Sequence, residues 1–417
     1  MPVTHDIQTV NEVFIEPLVS ALGASVHTRP CPELPDADWL RMGVLRVLEA
    51  SESGRAFLQE HGLRLDNGVN IGNYFASLKS TRRENLVREI NLALICRVRS
   101  RGPDRLSDIP ELDRYECFAA DGHWHKAAVH DARHEGTKMA VGHFYGLDLR
   151  FHTLRHLAAG EGLHEHDMSA LKRVKPKGLR QGVPKGTRVL IIYDKAGIDL
   201  GYWKRCRQET AVYFLSRPKD NMEWSRVQSL AWDKTDPRNR GVIDDEQVTS
   251  REGHQLRLVV YLDPQTSTIY EFLTNEPDLP PGVIAELYRR RWEVEKVFDQ
   301  VKNKLGQQKA WASSLTAKTI QAQMIALTHN LLLLYEQALE DRHGIANEAE
   351  DRRRASRTEK ARKECALIGI RLSSLALLRR RATQRSVKFI RWLRQAIRDR
   401  LAEAAAVPRL RQLYAQL

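Results

Sequence analysis

The stretch Gly282–Gly306, GVIAELYRRRWEVEKVFDQVKNKLG, decides how the rest of the sequence is interpreted. Pro280 and Pro281 precede it, where a helix loses no hydrogen bond by lacking N–H donors. Gly306 stands where a helix commonly ends, so the pattern predicts one continuous helix. At about 100° per residue its apolar side chains share one face, which we expect to be buried. That face holds Leu287, Val294, Val297, Phe298, Val301 and Leu305.

Polar side chains of the same helix follow a line beside this apolar face. The line consists of Tyr288, Arg291, Glu295 and Lys302. Glu286 and Glu293 face the far side, whereas the helical wheel does not exclude Asp299. Charged residues beside an apolar stripe are also common on ordinary surface helices, so a basic surface helix is the alternative interpretation.

The spacing of these four residues is specific. Tyr288, two residues, Arg291, three residues, Glu295, six residues and Lys302 resembles the Y-(2)-R-(3)-E-(6)-K signature of one subgroup of bacterial insertion-sequence transposases. Trp292 in YRRRWEVEKVF adds to the resemblance. It implies an α/β fold, a DDE transposase with a ribonuclease H-like catalytic core, in which Glu295 is the last catalytic acid. It also implies that Tyr288, Arg291 and Lys302 bind phosphates of the transposon end.

Two further acids follow predicted strands. Asp121 comes after Tyr115–Ala120 (YECFAA), although Asp121-Gly122 is also a strong hairpin-turn signal. Asp194 follows Arg188–Tyr193 (RVLIIY), whose apolar run predicts a buried central strand; a helix or turn cap is the alternative. The resemblance identifies both as catalytic and assigns Arg217 and Lys219, after a third strand at Ala211–Ser216, to DNA binding.

Three carboxylates at one point repel one another unless cations neutralise them. Hard oxygen ligands suit Mg²⁺ or Mn²⁺, and two such ions can activate water and stabilise a leaving 3′ oxygen. The freed 3′-OH can then attack target DNA. The basic loop Lys172–Thr187 lacks the GxxxxGK[ST] frame, so no nucleotide cofactor is indicated.

Other segments complete the predicted core. Further strands are expected at Lys126–Val129, Lys138–Tyr145 and Asp148–Thr153, a hairpin at Gln255–Leu262 and Thr268–Leu273, and helices at Asp199–Gln208 and Ile320–Leu339. Nine histidines crowd this region (His123, His125, His130, His134, His143, His152, His156, His164 and His166), but none has zinc-site spacing, so surface histidines are favoured over zinc. Trp224 and Trp232 are candidates for stacking on a flipped base, with burial in a core as the alternative.

The composition changes along the chain and suggests five parts. Residues 1–112 predict a helical domain, with helices at Asp38–Glu52 and on both sides of Ser80-Thr81. Lys79, Arg82 and Arg83 there could contact DNA ends or belong to a packing domain. The resemblance implies that residues 113–219 are the first part of the core, 220–279 a β-rich insertion, and 280–345 the second part with the Glu295 helix. Residues 346–417 form a basic helical domain, with helices expected at Ser373–Leu378 and Ser386–Leu401.

The net charge of +13 comes from one end of the chain. Residues 351–417 hold 19 Lys+Arg against 5 Asp+Glu, and the remainder holds 47 against 48. Such a segment indicates a nucleic-acid surface, with a solvated helical face or an acidic partner as the alternative. The five cysteines are scattered, and no two of them have CxxC spacing. The sequence also shows no apolar run long enough for a membrane span. We therefore expect a cytoplasmic protein, associated with the bacterial nucleoid.

The leading hypothesis is a transposase that cuts double-stranded DNA at element ends and joins the 3′ ends to target DNA, with two Mg²⁺ or Mn²⁺ ions. Because two ends must be joined together, a homodimer on DNA is expected. Two alternatives remain at this point: a DNA-binding protein of the same descent that no longer cuts, and a metal-dependent endonuclease without strand transfer.

Overall fold

The computed structural model describes residues 8–49, 53–61, 69–128, 131, 141–160, 165, 167–263, 267–345, 356, 359–360, 363, 366–367 and 388–415. In chain order its helices are α1 (Val10–Gly23), α2 (Asp36–Leu48), α3 (Gly54–His61), α4 (Ile71–Ser77), α5 (Thr81–Arg101), α6 (Asp167–Arg173), α7 (Leu200–Thr210), α8 (Pro281–Arg290), α9 (Trp292–Asp299), α10 (Leu315–His343), α11 (residues 388–398) and α12 (Glu403–Ala415). The strands are β1 (Tyr115–His125), β2 (Val141–Asp148), β3 (Leu154–Ala159), β4 (Arg188–Ile192), β5 (Val212–Ser216), β6 (Trp224–Ser229), β7 (Val242–Ser250), β8 (Gln255–Leu262) and β9 (Ile269–Thr274).

The fold is mixed α/β, as predicted, and its strands form one nine-stranded sheet in the order β3-β2-β1-β4-β5-β9-β8-β7-β6. Strands β1, β4 and β5 are parallel, whereas β2 pairs antiparallel with both β1 and β3. Strands β6 to β9 follow β5 in the chain and extend the sheet beyond it through antiparallel pairs. The carboxyl end of β4 therefore lies beside Ala119, within β1.

The chain divides into two compact units. The helical unit comprises Met1–Arg101, Phe298–Gln307 and Leu327–Leu417, and the sheet unit comprises Gly102–Val297 and Gln308–Ala326. The predicted domain boundaries, which treat the parts as consecutive, stay predictions. No helix among the described residues is long and apolar enough to cross a membrane.

The core of the sheet unit forms where α7 covers the apolar central strands. Trp203 of α7 stacks on Phe214 of β5, with ring centroids 5.3 Å apart and planes 4° apart. Val189 and Ile191 of β4 and Tyr193 beyond it belong to the same buried cluster. The apolar run that predicted a central strand is thus buried between neighbouring strands and this helix layer.

The helical unit has its own core. Tyr335 of α10 stacks with Trp392 of α11 and meets Phe14 of α1 edge-on. Arg82 and Arg83 of α5 both pair with the buried carboxylate of Asp36, at 2.7 Å and 3.3 Å. These two arginines therefore serve packing in this structure, which favours the packing alternative for them.

Several predicted elements are confirmed. The hairpin of β8 and β9, helices α2, α7 and α10, and the break between α4 and α5 lie within a few residues of their predicted positions. The predicted helix at Ser373–Leu378 and histidines 130, 134, 164 and 166 lie outside the described residues.

Other predictions are wrong. Lys126–Val129 is not a strand over its described part, where Lys126 forms one isolated bridge to Lys309. Asp148–Thr153 is mostly the turn after β2, in which His152 has a left-handed backbone (φ 57°). Asp121-Gly122 is not a turn, because β1 continues through both residues and pairs them with β2.

The helix predicted from Gly282 to Gly306 is interrupted. Arg291 separates α8 from α9, and residues Gln300–Lys304 form a π-helical turn in which the Leu305 N–H donates to the Gln300 carbonyl. Gly306, with φ of 67°, ends the segment as expected. The predicted apolar face is buried except for Phe298, which is half-buried.

Candidate active site

The sheet register brings the first two predicted acids to one level. Ala119 of β1 pairs with Ile192 of β4 in parallel register, and Asp121 and Asp194 each lie two residues further on. The Asp194 carboxylate also caps the 3₁₀ turn Lys195–Gly197 by accepting the Ala196 N–H at 2.9 Å. Asp194 is thus both a cap and the acid that follows β4. The capping hydrogen bond uses only one of its two carboxylate oxygens.

Arg291 connects the third predicted acid, Glu295, to Asp121. Glu295 of α9 accepts a hydrogen bond from Nη2 of Arg291 at 2.9 Å. Nη1 of the same guanidinium lies 3.5 Å from Oδ2 of Asp121. Arg291 is 6% exposed, so a buried guanidinium connects two half-buried acids.

The charges around Asp121 change its proton affinity. Burial raises the pKa of Asp121 to about 6, and the neighbouring charges of Asp194 and Glu295 act in the same direction. Hydrogen bonding from the Gly122 N–H and the charge of Arg291 oppose this rise. Asp194 and Glu295 are therefore close enough to Asp121 to act on it electrostatically.

Tyr288 lies near Arg291 and Asp194. It is buried, and its ring contacts Phe272 of β9 with centroids 5.0 Å apart. Burial raises the pKa of Tyr288, Asp194 acts in the same direction, and the charges of Arg291 and Arg217 oppose it. Arg217, which follows β5, is exposed and places its guanidinium 5.3 Å from the centroid of Tyr270.

The remaining predicted DNA-binding residues are dispersed. Lys219 is half-buried in the connection between β5 and β6, and exposed Lys302 belongs to the π-helical turn of the helical unit. Trp224 begins β6 and packs against the core of the sheet unit. Trp232 is half-buried, with Nζ of Lys234 5.3 Å from its ring centroid.

A row of histidines beside Asp121 was not predicted as a unit, and the expectation of surface histidines is wrong for it, because His123, His125 and His143 are buried. Its members are His123 and His125 of β1, His143 of β2 and His156 of β3, with successive ring centroids 5.0, 5.2 and 5.3 Å apart. Alternation along β1 places His123 and His125 on the face of Asp121. That alternation, together with the density of histidines, could have indicated the row from sequence.

Sequence reasoning also missed a contact that holds α9. His152, in the turn after β2, pairs with the carboxylate of Glu293, two residues before Glu295. Burial lowers the pKa of His152, whereas its hydrogen bond to Glu293 opposes that change. The pair fixes the first turn of α9 on the side away from the acids, where the helical wheel had placed Glu293.

The chemistry of this site fits a divalent metal. Carboxylate oxygens are the ligands that Mg²⁺ and Mn²⁺ prefer, and a cation there would offset the negative charges that Asp194 and Glu295 place near Asp121. As they stand, no three His, Cys, Asp or Glu side chains in the described part of the chain are arranged to hold one ion.

Comparison with known proteins identifies the family. The family described as "Transposase DDE domain" matches residues 116–331, which is just over half of the chain and includes Asp121, Asp194 and Glu295. The chain therefore belongs to the DDE transposase family, and the family predicted from the sequence is confirmed.

Individual relatives are more distant. The protein y4zB of Sinorhizobium fredii (strain NBRC 101917 / NGR234), which is named as a transposase, is 30% identical over 122 residues. That match covers 27% of this chain and 33% of y4zB, so the matched part spans about a third of the relative's length. The cryo-EM structure of the piggyBac transposase synaptic complex with hairpin DNA aligns with 97% of this chain and 84% of that chain, at 12% identity and a TM-score of 0.33.

Proposed function

We propose that this protein is a metal-dependent DNA transposase that cuts double-stranded DNA at the ends of an insertion sequence and joins the 3′ ends to target DNA. The observation that carries the proposal is that Asp121 on β1 and Asp194 after β4 lie at the same level of the sheet, while Arg291 contacts both Asp121 and Glu295. These residues belong to three elements far apart in the sequence, and all of them lie inside the range that matches the family.

The order of the first five strands supports a ribonuclease H-like core. In β3-β2-β1-β4-β5 the antiparallel β2 lies beside β1, and β4 and β5 continue in parallel. Strands β6 to β9 then correspond to the proposed β-rich insertion. On this interpretation the polypeptide between Asp194 and Glu295 adds strands to the sheet without separating the two acids.

Each residue of the site has a proposed role. Asp121, Asp194 and Glu295 would hold two Mg²⁺ or Mn²⁺ ions, which would supply charge to activate water and to stabilise the leaving 3′ oxygen. Tyr288, Arg291, Lys302, Arg217 and Lys219 would bind DNA phosphates and so position the scissile bond, and positioning is a large part of catalysis in phosphoryl transfer. Of the two tryptophans, Trp224 packs against the core of the sheet unit, whereas Trp232 has the cationic neighbour Lys234, which favours Trp232 for stacking on a base.

The wider assignments follow from the same proposal. Joining two ends requires two catalytic sites, so we propose a homodimer assembled on DNA, in the cytoplasm near the nucleoid. The basic segment 346–417 supplies positive charge for the DNA backbone.

The decisive experiment compares Glu295→Gln with wild type on labelled DNA that carries the inverted repeats flanking the coding sequence. In Mg²⁺ we expect wild type to cleave and join ends, whereas Glu295→Gln binds the same DNA but cleaves at least about 100-fold more slowly. In Ca²⁺ we expect binding without cleavage by either protein.

Asp299→Asn is the matched control, since it removes an acid from the same sequence stretch that the helical wheel could not exclude. Asp299 hydrogen-bonds Asn303 and Lys304 at 2.6 Å and 3.1 Å, so cleavage by this variant should stay within a few-fold of wild type. Equal cleavage by wild type and Glu295→Gln would refute the assignment of Glu295. Cleavage without joined products would indicate an endonuclease, and tight binding without cleavage by wild type would indicate a DNA-binding protein.

A further inference from the structure

Arg291 has an unusual position for a residue expected to bind DNA. It forms the junction between α8 and α9, is 6% exposed, and directs its two terminal nitrogens at two acids of the site. Nη2 donates to Glu295 at 2.9 Å, and Nη1 lies 3.5 Å from Asp121. In this arrangement the guanidinium faces the carboxylates that the proposed function assigns to metal ions.

The surroundings hold the guanidinium there. Its central carbon lies 5.2 Å from the centroid of Trp292 and 5.7 Å from that of Tyr288, within the range of cation–π attraction. A guanidinium remains charged in proteins, and its planar fork can satisfy two carboxylates at once. Since neighbouring carboxylates that are partly shielded from water repel one another, such a cation is stabilising while no other positive charge is present.

One donor of Arg291 is left over. Its Nε–H is buried and has no hydrogen-bond partner among the described residues. Buried donors are nearly always satisfied, so this N–H identifies Arg291 as a side chain with a further acceptor to gain. A phosphate oxygen of DNA, which also binds guanidinium in a bidentate way, is an acceptor of the right chemistry.

We propose that Arg291 is a built-in counter-ion of the DNA-free protein: it occupies the carboxylates of Asp121 and Glu295 and weakens metal binding until DNA phosphate draws it away. This inference rests on the proposed function. It couples the two ligands, because DNA that binds Arg291 frees the acids for metal, and metal that binds the acids frees Arg291 for DNA. A transposase built in this way would take up its metal ions mainly when an end is bound.

The test measures Mn²⁺ binding to the full-length, DNA-free chain by calorimetry, with free Mn²⁺ confirmed by electron paramagnetic resonance. We expect Arg291→Gln to bind Mn²⁺ about tenfold more tightly than wild type, within the range of ordinary coupling between sites. Arg289→Gln is the matched control, because it removes the same charge from α8 but ion-pairs with Glu286 instead. Its Mn²⁺ affinity should equal that of wild type.

A second readout uses DNA. Adding duplex end DNA should raise the Mn²⁺ affinity of wild type and of Arg289→Gln by a similar factor, but should leave Arg291→Gln nearly unchanged. If Arg291→Gln does not fold, Arg291→Lys replaces it, since one ammonium group cannot bridge both acids and a smaller gain in Mn²⁺ affinity is expected. Thermal unfolding of each variant establishes that it is folded.

The outcomes separate this inference from the proposed function. The counter-ion proposal is overturned if wild type and Arg291→Gln bind Mn²⁺ with equal affinity, or if neither binds it. It is also overturned if DNA changes the Mn²⁺ affinity of both proteins by the same factor. Asp121→Asn then tests the metal site itself. If only this variant loses Mn²⁺ binding, the proposed metal site is supported and the counter-ion role of Arg291 is not. If Asp121→Asn binds Mn²⁺ like wild type, the ion is held elsewhere, and the proposed metal site fails with the inference.

Discussion

Asp121 shows how a partly buried carboxylate can weaken the fold around it. Burial raises its pKa from 3.8 to about 6, so the folded chain holds this proton more tightly than the unfolded chain. The resulting stabilisation is complete below about pH 3.8 and is lost as the pH rises through about 6. We predict that Asp121→Asn raises the free energy of unfolding at pH 7.5 by about 1–3 kcal/mol, measured by urea denaturation. The gain should shrink towards pH 4.

The control for this prediction is Asp220→Asn, at an acid whose side chain is 95% exposed. Its effect should stay within about 0.5 kcal/mol at every pH. A loss of stability in Asp121→Asn at pH 7.5 would contradict the prediction, because it would mean that the contact with Arg291 outweighs the cost of burying the charge.

Residue identities at the site could be predicted from sequence to the extent that spacing encodes them. Asp121 and Asp194 each follow a strand predicted from sequence, although β1 continues through Asp121, and the four-residue signature singled out Arg291 and Glu295. The contact between Arg291 and Asp121 could not be predicted, because it depends on how α9 packs against β1. The pairing of His152 with Glu293 depends on a left-handed turn residue that propensities disfavour.

At the scale of elements, the helical wheel failed where hydrogen bonding departs from the regular pattern. The Arg291 N–H bonds to the Tyr288 carbonyl, three residues back, and the Leu305 N–H to the Gln300 carbonyl, five residues back. A wheel drawn at a constant angle assumes four-residue bonds throughout. The buried face survives because the tight turn at Arg291 changes the rotation only locally.

The start of α8 offers a test of how this element is positioned. The Gly282 N–H donates to the Asn239 side chain at 2.9 Å, and a Cβ on Gly282 would lie 2.0 Å from the carbonyl oxygen of Arg238. Because a backbone atom cannot move aside cheaply, we predict that Gly282→Ala lowers the free energy of unfolding by about 2–4 kcal/mol. Urea denaturation followed by circular dichroism measures the change.

Gly201→Ala is the control for this element. Gly201 lies in the first turn of α7, where a Cβ would meet a neighbouring atom only at 3.7 Å. This substitution should stabilise the protein by about 0.4–1 kcal/mol, because alanine favours the helix and restricts the unfolded chain. A Gly282→Ala variant as stable as wild type would show that the loop carrying Arg238 can shift, and the close packing of α8 would not be required.

At the scale of the whole molecule, sequence predicted the class of fold but not its division into units. Alternating and apolar runs locate β4, β8 and β9 because burial of one or both faces controls their composition. The two units interleave along the chain, so boundaries drawn from changes of composition cannot reproduce them. The contacts that define a unit join segments distant in sequence, and one sequence carries no direct record of those contacts.

The histidine row gives the molecule a predicted acid sensitivity. Burial lowers the pKa of His125 to about 3 and of His156 to about 4, and lowers that of His143 well below 6.5; the charges facing them are His123 and Lys318. The stability that these neutral histidines allow is therefore fully present above about pH 6.5. As the pH falls below that value, the free energy of unfolding decreases by up to about 1.4 kcal/mol per pH unit for each histidine.

His125→Phe tests this sensitivity. It removes two buried ring nitrogens without a hydrogen-bond partner in the described part of the chain, so unfolding free energy should fall less steeply between pH 6.5 and 4.5 than in wild type. Urea denaturation at several pH values measures the slope. His27→Asn, in the helical unit, should keep the slope of wild type, and an unchanged slope in His125→Phe would show that other groups control acid unfolding.

The uneven charge of the chain predicts where DNA affinity depends on salt. Arg352, Arg353 and Arg354 lie in the basic segment, outside the described residues, and each phosphate contact contributes about 0.9 to the slope of log affinity against log salt. Replacing all three by glutamine should reduce that slope by about 2–3, measured by fluorescence anisotropy on duplex DNA. The same charge change on exposed positions of α7, at residues Lys204, Arg205 and Arg207, should leave the slope within about 0.5 of wild type. If both triple variants lowered the slope equally, DNA affinity would depend on the total charge of the protein, and the basic segment would have no specific role in DNA binding.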